Sequence, residues 1–244
     1  MTNPVSDWRE ALLAILDTLR SHAFPFAAET EGREPMEPAS DAAKRALDTV
    51  DSLGRLPEHY RSAVETLGNV DLRHARPHDP SAPLRALATF DPFVFQPDYL
   101  AADMADPDIF EQQRADHGAV FIEFAMDACH KADVSGGSGY GFWLPVKEHS
   151  NPPQPDQLLF PDLDLPALQV LRPEALRIEP VALPFAAYVE TTLRNGGFFG
   201  QYSLSCDGNA DYDARAIATR NLGSGPAFDA LRHAAALYLP RTQP

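Results

Sequence analysis

The chain has 244 residues, 44% of them hydrophobic, and carries 35 Asp+Glu against 20 Lys+Arg, a formal charge of −15. Phosphate backbones are gripped by Lys and Arg, so this balance argues against nucleic acid as a direct partner. No window approaches the roughly 18 uncharged apolar residues that span a bilayer. The longest apolar run, residues 119–129, contains Glu123 and Asp127.

The first element is an amphipathic helix over residues 7–22. Asp7 stands at its start, and Trp8, Leu12, Ile15, Leu16 and Leu19 fall on one face. Residues 24–38, rich in Glu and Pro, read as a linker or exposed loop. Ser40 or Asp41 opens a second helix with Ala43, Leu47, Val50 and Leu53 as its apolar stripe, and Gly54 ends it. Pro57 suits a first helical turn and opens a third helix. Tyr60, Val64 and Leu67 point inward from it, and Gly68 is its stop.

Residues 70–83 are His, Arg, Asp and Pro in large part and read as a loop. Residues 90–95 read as a strand despite Pro92, and residues 97–104 and 108–114 as short helices. Two strands, residues 119–126 and 140–144, flank a run with four glycines: Gly136, Gly137, Gly139 and Gly141. That run has no Lys followed by Ser or Thr, and its glycine spacing does not match the dinucleotide fingerprint.

Residues 146–157 hold three prolines and form a loop. Residues 157–160 and 167–171 are short strands. A helix over residues 185–194 turns Phe185, Tyr188, Val189, Thr192 and Leu193 to the core, and Asn195-Gly196-Gly197 terminates it. Helices over residues 212–221 and 226–239 close the chain. Helices and strands mix without a βαβ rhythm. The fold class is therefore α+β, with a mixed or antiparallel sheet flanked by helices and helical additions at both ends.

The candidate chemistry is sparse. His74 and His78 have the i, i+4 spacing of metal ligands, but Pro77 lies between them, and the pair reads as part of a polar loop. Asp127, Cys129 and His130 resemble a nucleophile and base, yet strand neighbours diverge, so Cys129 reads as a small buried residue ending a core strand. Phe198, Phe199 and Tyr202 read as core. No catalytic, cofactor or metal residue is assigned. The acidic set Asp103, Asp106, Asp108, Glu111 and Asp116, relieved only by Arg114, lacks a calcium-loop pattern. It reads either as a solvated helical face or as a docking patch for a basic partner. Residues 81–160, with 12 acids against 4 Lys/Arg, carry the largest share of the negative charge. Two cysteines, Cys129 and Cys206, and a start without a basic head and apolar middle fit a soluble cytoplasmic protein.

Three separated stretches together resemble one family. Pro38-Ala39-Ser40-Asp41 through Leu56-Pro57-Glu58-His59-Tyr60 is similar to an opening helix running into a Leu-Pro-x-x-Tyr turn. Asp127 through Gly137, with Tyr140-Gly141 and Trp143-Leu144-Pro145, resembles a central strand–loop–strand. Phe185-Ala186-Ala187-Tyr188-Val189 with Gly196-Gly197-Phe198-Phe199-Gly200 resembles a late helix and its Gly-Gly-Phe-Pro-Gly terminator. The family is the SUKH superfamily of fungal cell-wall-synthesis regulators and bacterial relatives. The chain departs from it in having Asp48-Thr49 where many members have a Glu, Phe199 in place of the terminator Pro, and Gly68-Asn69 for the usual Asn-Gly.

The chain is expected to form a single domain over residues 1–244, in which the resemblance covers a SUKH-like core at 38–200, flanked by an N-terminal helix plus linker at 1–37 and a C-terminal helical addition at 201–244. The resemblance implies an α+β fold with a sheet packed against helices and, from the bacterial members, a non-enzymatic immunity protein that binds and neutralises a cognate toxin; the chain's acidic balance points to a basic toxin domain that it masks. The alternative is an intracellular regulatory or scaffold protein with a non-toxin partner.

Overall fold

The apolar spacing near the N-terminus produces helix α1 (Pro4–Ser21), which buries Val5, Trp8, Ala11, Leu12, Ile15, Leu16 and Leu19. Asp7 lies in its first turn and Arg20 in its last, each on the favourable end of the helix dipole. In the computed structural model residues 4–53, 56–76, 81, 84, 90–103, 119–127, 138–145, 158–160, 179–180, 184–201 and 226–239 are described. They form an α+β protein, with seven helices among the described residues. The chain divides into two compact units, each assembled from separate stretches. The first is Met1–Glu37, Val70–Phe93 and Ala187–Pro244; the second is Pro38–Asn69 and Val94–Ala186.

In the first unit α1 closes with a left-handed residue. The Phe24 N–H donates to Leu19 C=O (3.0 Å) and the Ala23 N–H to Arg20 C=O (3.0 Å), while Ala23 sits at φ 56°. This is the two-bond helix terminator that normally carries glycine. The residues that follow are not a linker. Phe24 and Phe26 are buried, their rings meeting edge to face at 4.9 Å, and a short helix α2 (Ala27–Thr30) follows. The segment is pinned to residues 73–75: Ala27 N–H donates to Arg73 C=O (2.9 Å) and Ala75 N–H to Pro25 C=O (2.8 Å), around an antiparallel bridge of Phe26 with His74. Its Glu and Pro content suggested exposure, but two phenylalanines one residue apart supply the apolar side that burial requires.

Strand β1 (Met36–Glu37) lies beside β2 (Asn69–Asp71), where Asp71 N–H donates to Pro35 C=O at 2.9 Å. The expected loop at 70–83 therefore begins as a strand, and Leu72 and His74 beyond it are buried. The expected strand at 90–95 is split into β3 (Phe90–Pro92) and β4 (Val94–Phe95). Phe93 lies between them and donates its N–H to Gly197 C=O at 2.8 Å.

Two later helices take the places their periodicity predicts: α6 (Phe185–Arg194) and α7 (Pro226–Ala236). The first buries Phe185, Tyr188, Val189, Thr192 and Leu193, and the second packs on α1. The Gly196-Gly197 terminator has φ 76° and 91°, and leads into β9 (Phe198–Gln201) antiparallel to β3. Phe198 meets Phe228 edge to face at 6.2 Å in this core.

The second unit starts with α3 (Asp41–Leu53), capped by Ser40, whose Oγ accepts from the Ala43 N–H at 3.1 Å. Pro57 does not occupy the first turn of the next helix. It opens a tight turn in which Tyr60 N–H donates to Pro57 C=O (3.1 Å), and α4 (Tyr60–Leu67) starts after the left-handed His59, φ 68°. Gly68, φ 66°, stops it as expected. Tyr60, Val64 and Leu67 face inward, with Tyr60 edge-on to Phe185 (5.2 Å) and Phe95 (5.8 Å). Helix α5 (Asp98–Asp103) begins immediately after Pro97.

A four-stranded antiparallel sheet completes this unit. Its order is β5 (Ala119–Asp127), β6 (Ser138–Pro145), β7 (Leu158–Phe160) and β8 (Glu179–Pro180). Phe121 registers with Trp143 and Ile122 with Phe142, and Ile122 is fully buried. Between Glu123 and Ala125 the ladder slips, leaving Phe124 as one extra residue on β5. Such a bulge bends its strand and increases the local twist. Strand β8 has no counterpart in the sequence reading. Expected elements at 108–114, 146–157, 167–171 and 212–221 lie outside the described residues.

Candidate functional site

The acidic set begins on α5, and this helix is held by side chains at both of its neighbours. Asp98 accepts from the Ser40 N–H at 3.0 Å, and Asp98 donates its own N–H to Asn69 Oδ1 at 3.4 Å. Asn69 in turn donates from Nδ2 to Pro38 C=O at 3.4 Å. Asp98 thus belongs to the scaffold: it ties the start of α5 to the start of α3. Asp103 ends the helix, where a negative charge gains nothing from the helix dipole. Asp106, Asp108, Glu111 and Asp116 lie outside the described residues.

The acidity of the second unit is not local to α5. It contains 20 Asp+Glu and 9 Lys+Arg, net −11, whereas the first unit has 15 against 11, net −4. Along α3 and α4 the carboxylates are open to solvent. Arg61 donates from Nη1 to Asp48 (2.8 Å) and from Nη2 to Asp51 (2.9 Å), and these bonds hold the Arg61 guanidinium above its ordinary pKa, Asp48 most strongly. Asp41 remains 87% exposed beside Lys44, and Glu58 82% exposed beside His59. Exposed pairs of this kind contribute only about 0–1 kcal/mol each, so these charges do little for folding.

Besides exposed pairs such as Arg20 with Glu34, the first unit holds a buried carboxylate. Asp71 is 2% exposed and accepts two parallel bonds from Arg73, Nε to Oδ1 at 2.8 Å and Nη2 to Oδ2 at 2.5 Å. The Arg73 N–H adds a bond to Oδ1 at 3.1 Å, and Arg33 Nη2 reaches Oδ2 at 3.4 Å. Arg33 also grips Glu31 at 2.5 Å; the Glu31 bond is the main reason its pKa is raised, with Asp71 a lesser one. Both carboxylate oxygens of Asp71 are occupied by these bonds, so it clamps Arg33 and Arg73 together. Sequence reading missed this group. The period-2 pattern Val70-Asp71-Leu72-Arg73 carries the signal, because it places Asp71 and Arg73 on one side and Val70 and Leu72 on the other.

His74 is not a loop residue. Its ring stands edge-on to Phe24 at 5.0 Å and 89°, and Nδ1 accepts from the Arg76 N–H at 2.9 Å. That bond occupies the lone pair a metal would need at Nδ1. His78 lies outside the described residues, as do Cys129, His130 and Tyr202. Asp127 is the last residue of β5, in register with Ser138. Among the described residues no group of three His, Cys, Asp or Glu side chains is placed to hold a metal ion. None of their helices is long and apolar enough to cross a membrane.

The fold and these sites define an α+β protein with a buried ionic clamp in one unit and, in the other, a high net negative charge with solvent-open carboxylates along α3 and α4. No family model, no curated protein and no solved structure matches the chain.

Proposed function

We propose that this chain is a divergent SUKH relative that works as a cytoplasmic immunity protein, binding and masking a basic toxin domain without catalysis or cofactor. The observation that carries the reading is the concentration of charge: net −11 in the second unit against −4 in the first. Exposed carboxylates that add little to folding accelerate encounter with a basic surface. The segment from Asp103 through Asp106, Asp108, Glu111 and Asp116 is the centre of that docking surface. Affinity then depends on a few buried anchors, and the bound scaffold blocks the toxin's active face.

The order of the motifs supports the family reading. Leu56-Pro57-x-x-Tyr60 leads into α4, Phe185 and its neighbours form α6, and Gly196-Gly197 turns the chain into β9. The test is capture with the tagged full chain at low salt from its native organism, followed by co-expression with any toxin recovered. The expected result is a basic toxin domain whose lethality the chain suppresses. Recovery of only non-toxin regulatory partners, with no protection, replaces this reading with the scaffold one.

A further inference from the structure

We draw no further inference here: the strongest candidate, the surface patch formed by Leu237 and Tyr238 just beyond α7, exposes two large apolar side chains, but nothing in the structure shows what covers it.

Discussion

A Cβ built on Gly196 stands 2.6 Å from Leu231 Cβ, closer than two such carbons can approach. The turn after α6 and the middle of α7 therefore meet backbone to side chain, with hydrogen at Gly196 as the only substituent that fits. Gly197 faces Leu72 Cδ1 at 2.7 Å and Ile15 Cγ2 at 3.2 Å in the same way. The difference between the two neighbours is mechanical. Leu231 Cβ is fixed to a helix backbone, whereas Leu72 Cδ1 is the far end of a side chain that can rotate.

Gly196→Ala is expected to destabilise by about 2–4 kcal/mol, from the left-handed backbone together with overpacking. Gly197→Ala costs less, because Leu72 yields. Gly32→Ala is the control: at φ 75° with nothing within 4 Å of its Cβ, it meets only the backbone cost of about 1–2 kcal/mol. Urea unfolding of the three variants checks the order; equal midpoints for Gly196→Ala and Gly32→Ala contradict the close approach to Leu231.

Ala23 occupies the left-handed terminator position of α1 at φ 56°. Ala23→Gly relieves a strain of about 1–2 kcal/mol but gives the unfolded chain more freedom, by about 0.4–1 kcal/mol. The expected net effect is a small stabilisation, visible as a higher thermal midpoint. A lower midpoint counts against the left-handed assignment.

Asp71→Asn leaves Arg73, 18% exposed, and Arg33 without their shared anion. Breaking a buried pair from one side costs on the order of 3–5 kcal/mol, and unfolding by denaturant should show a loss of that size. Arg73→Lys keeps the charge and loses the two-pronged geometry, so it should also destabilise, by less. If Asp71→Asn unfolds at the parent's denaturant midpoint, the clamp is not a source of stability.

Ser40→Ala removes the cap of α3 and should cost about 1 kcal/mol. Asp98→Ala removes the acceptor of the Ser40 N–H, whereas Asp98→Asn retains one. Chemical denaturation should therefore rank Asp98→Asn above Asp98→Ala in stability.

Replacing Asp103, Asp106, Asp108 and Glu111 by Asn or Gln should slow association with a basic toxin domain and flatten its dependence on salt. Neutralising Glu10 and Asp17 of the first unit should leave both nearly unchanged. Stopped-flow association at several ionic strengths separates the two sets, and equal behaviour removes the Asp103–Glu111 segment from the proposal.

Periodicity in the sequence alone was enough to determine α1, α3, α4, α6 and α7, and to place β5 and β6 around the glycine-rich run. Each of these is specified by apolar spacing within about a dozen residues, as in Trp8, Leu12, Ile15 and Leu19. Gly68 and Gly196-Gly197 were legible for the same local reason, since only a particular backbone shape stops a helix there. The acidic excess was legible as composition, and its division between units was not.

Tertiary structure decided the rest. Phe26 bridging His74, Asp71 reached by Arg33, and Gly196 against Leu231 all join residues remote in sequence. A local pattern announces that a face is apolar or a carboxylate needs a partner, but not which distant segment answers it. Pro57 illustrates the limit at short range. Its chemistry suits either a first helical turn or the bend before one, and the left-handed His59 selects the bend.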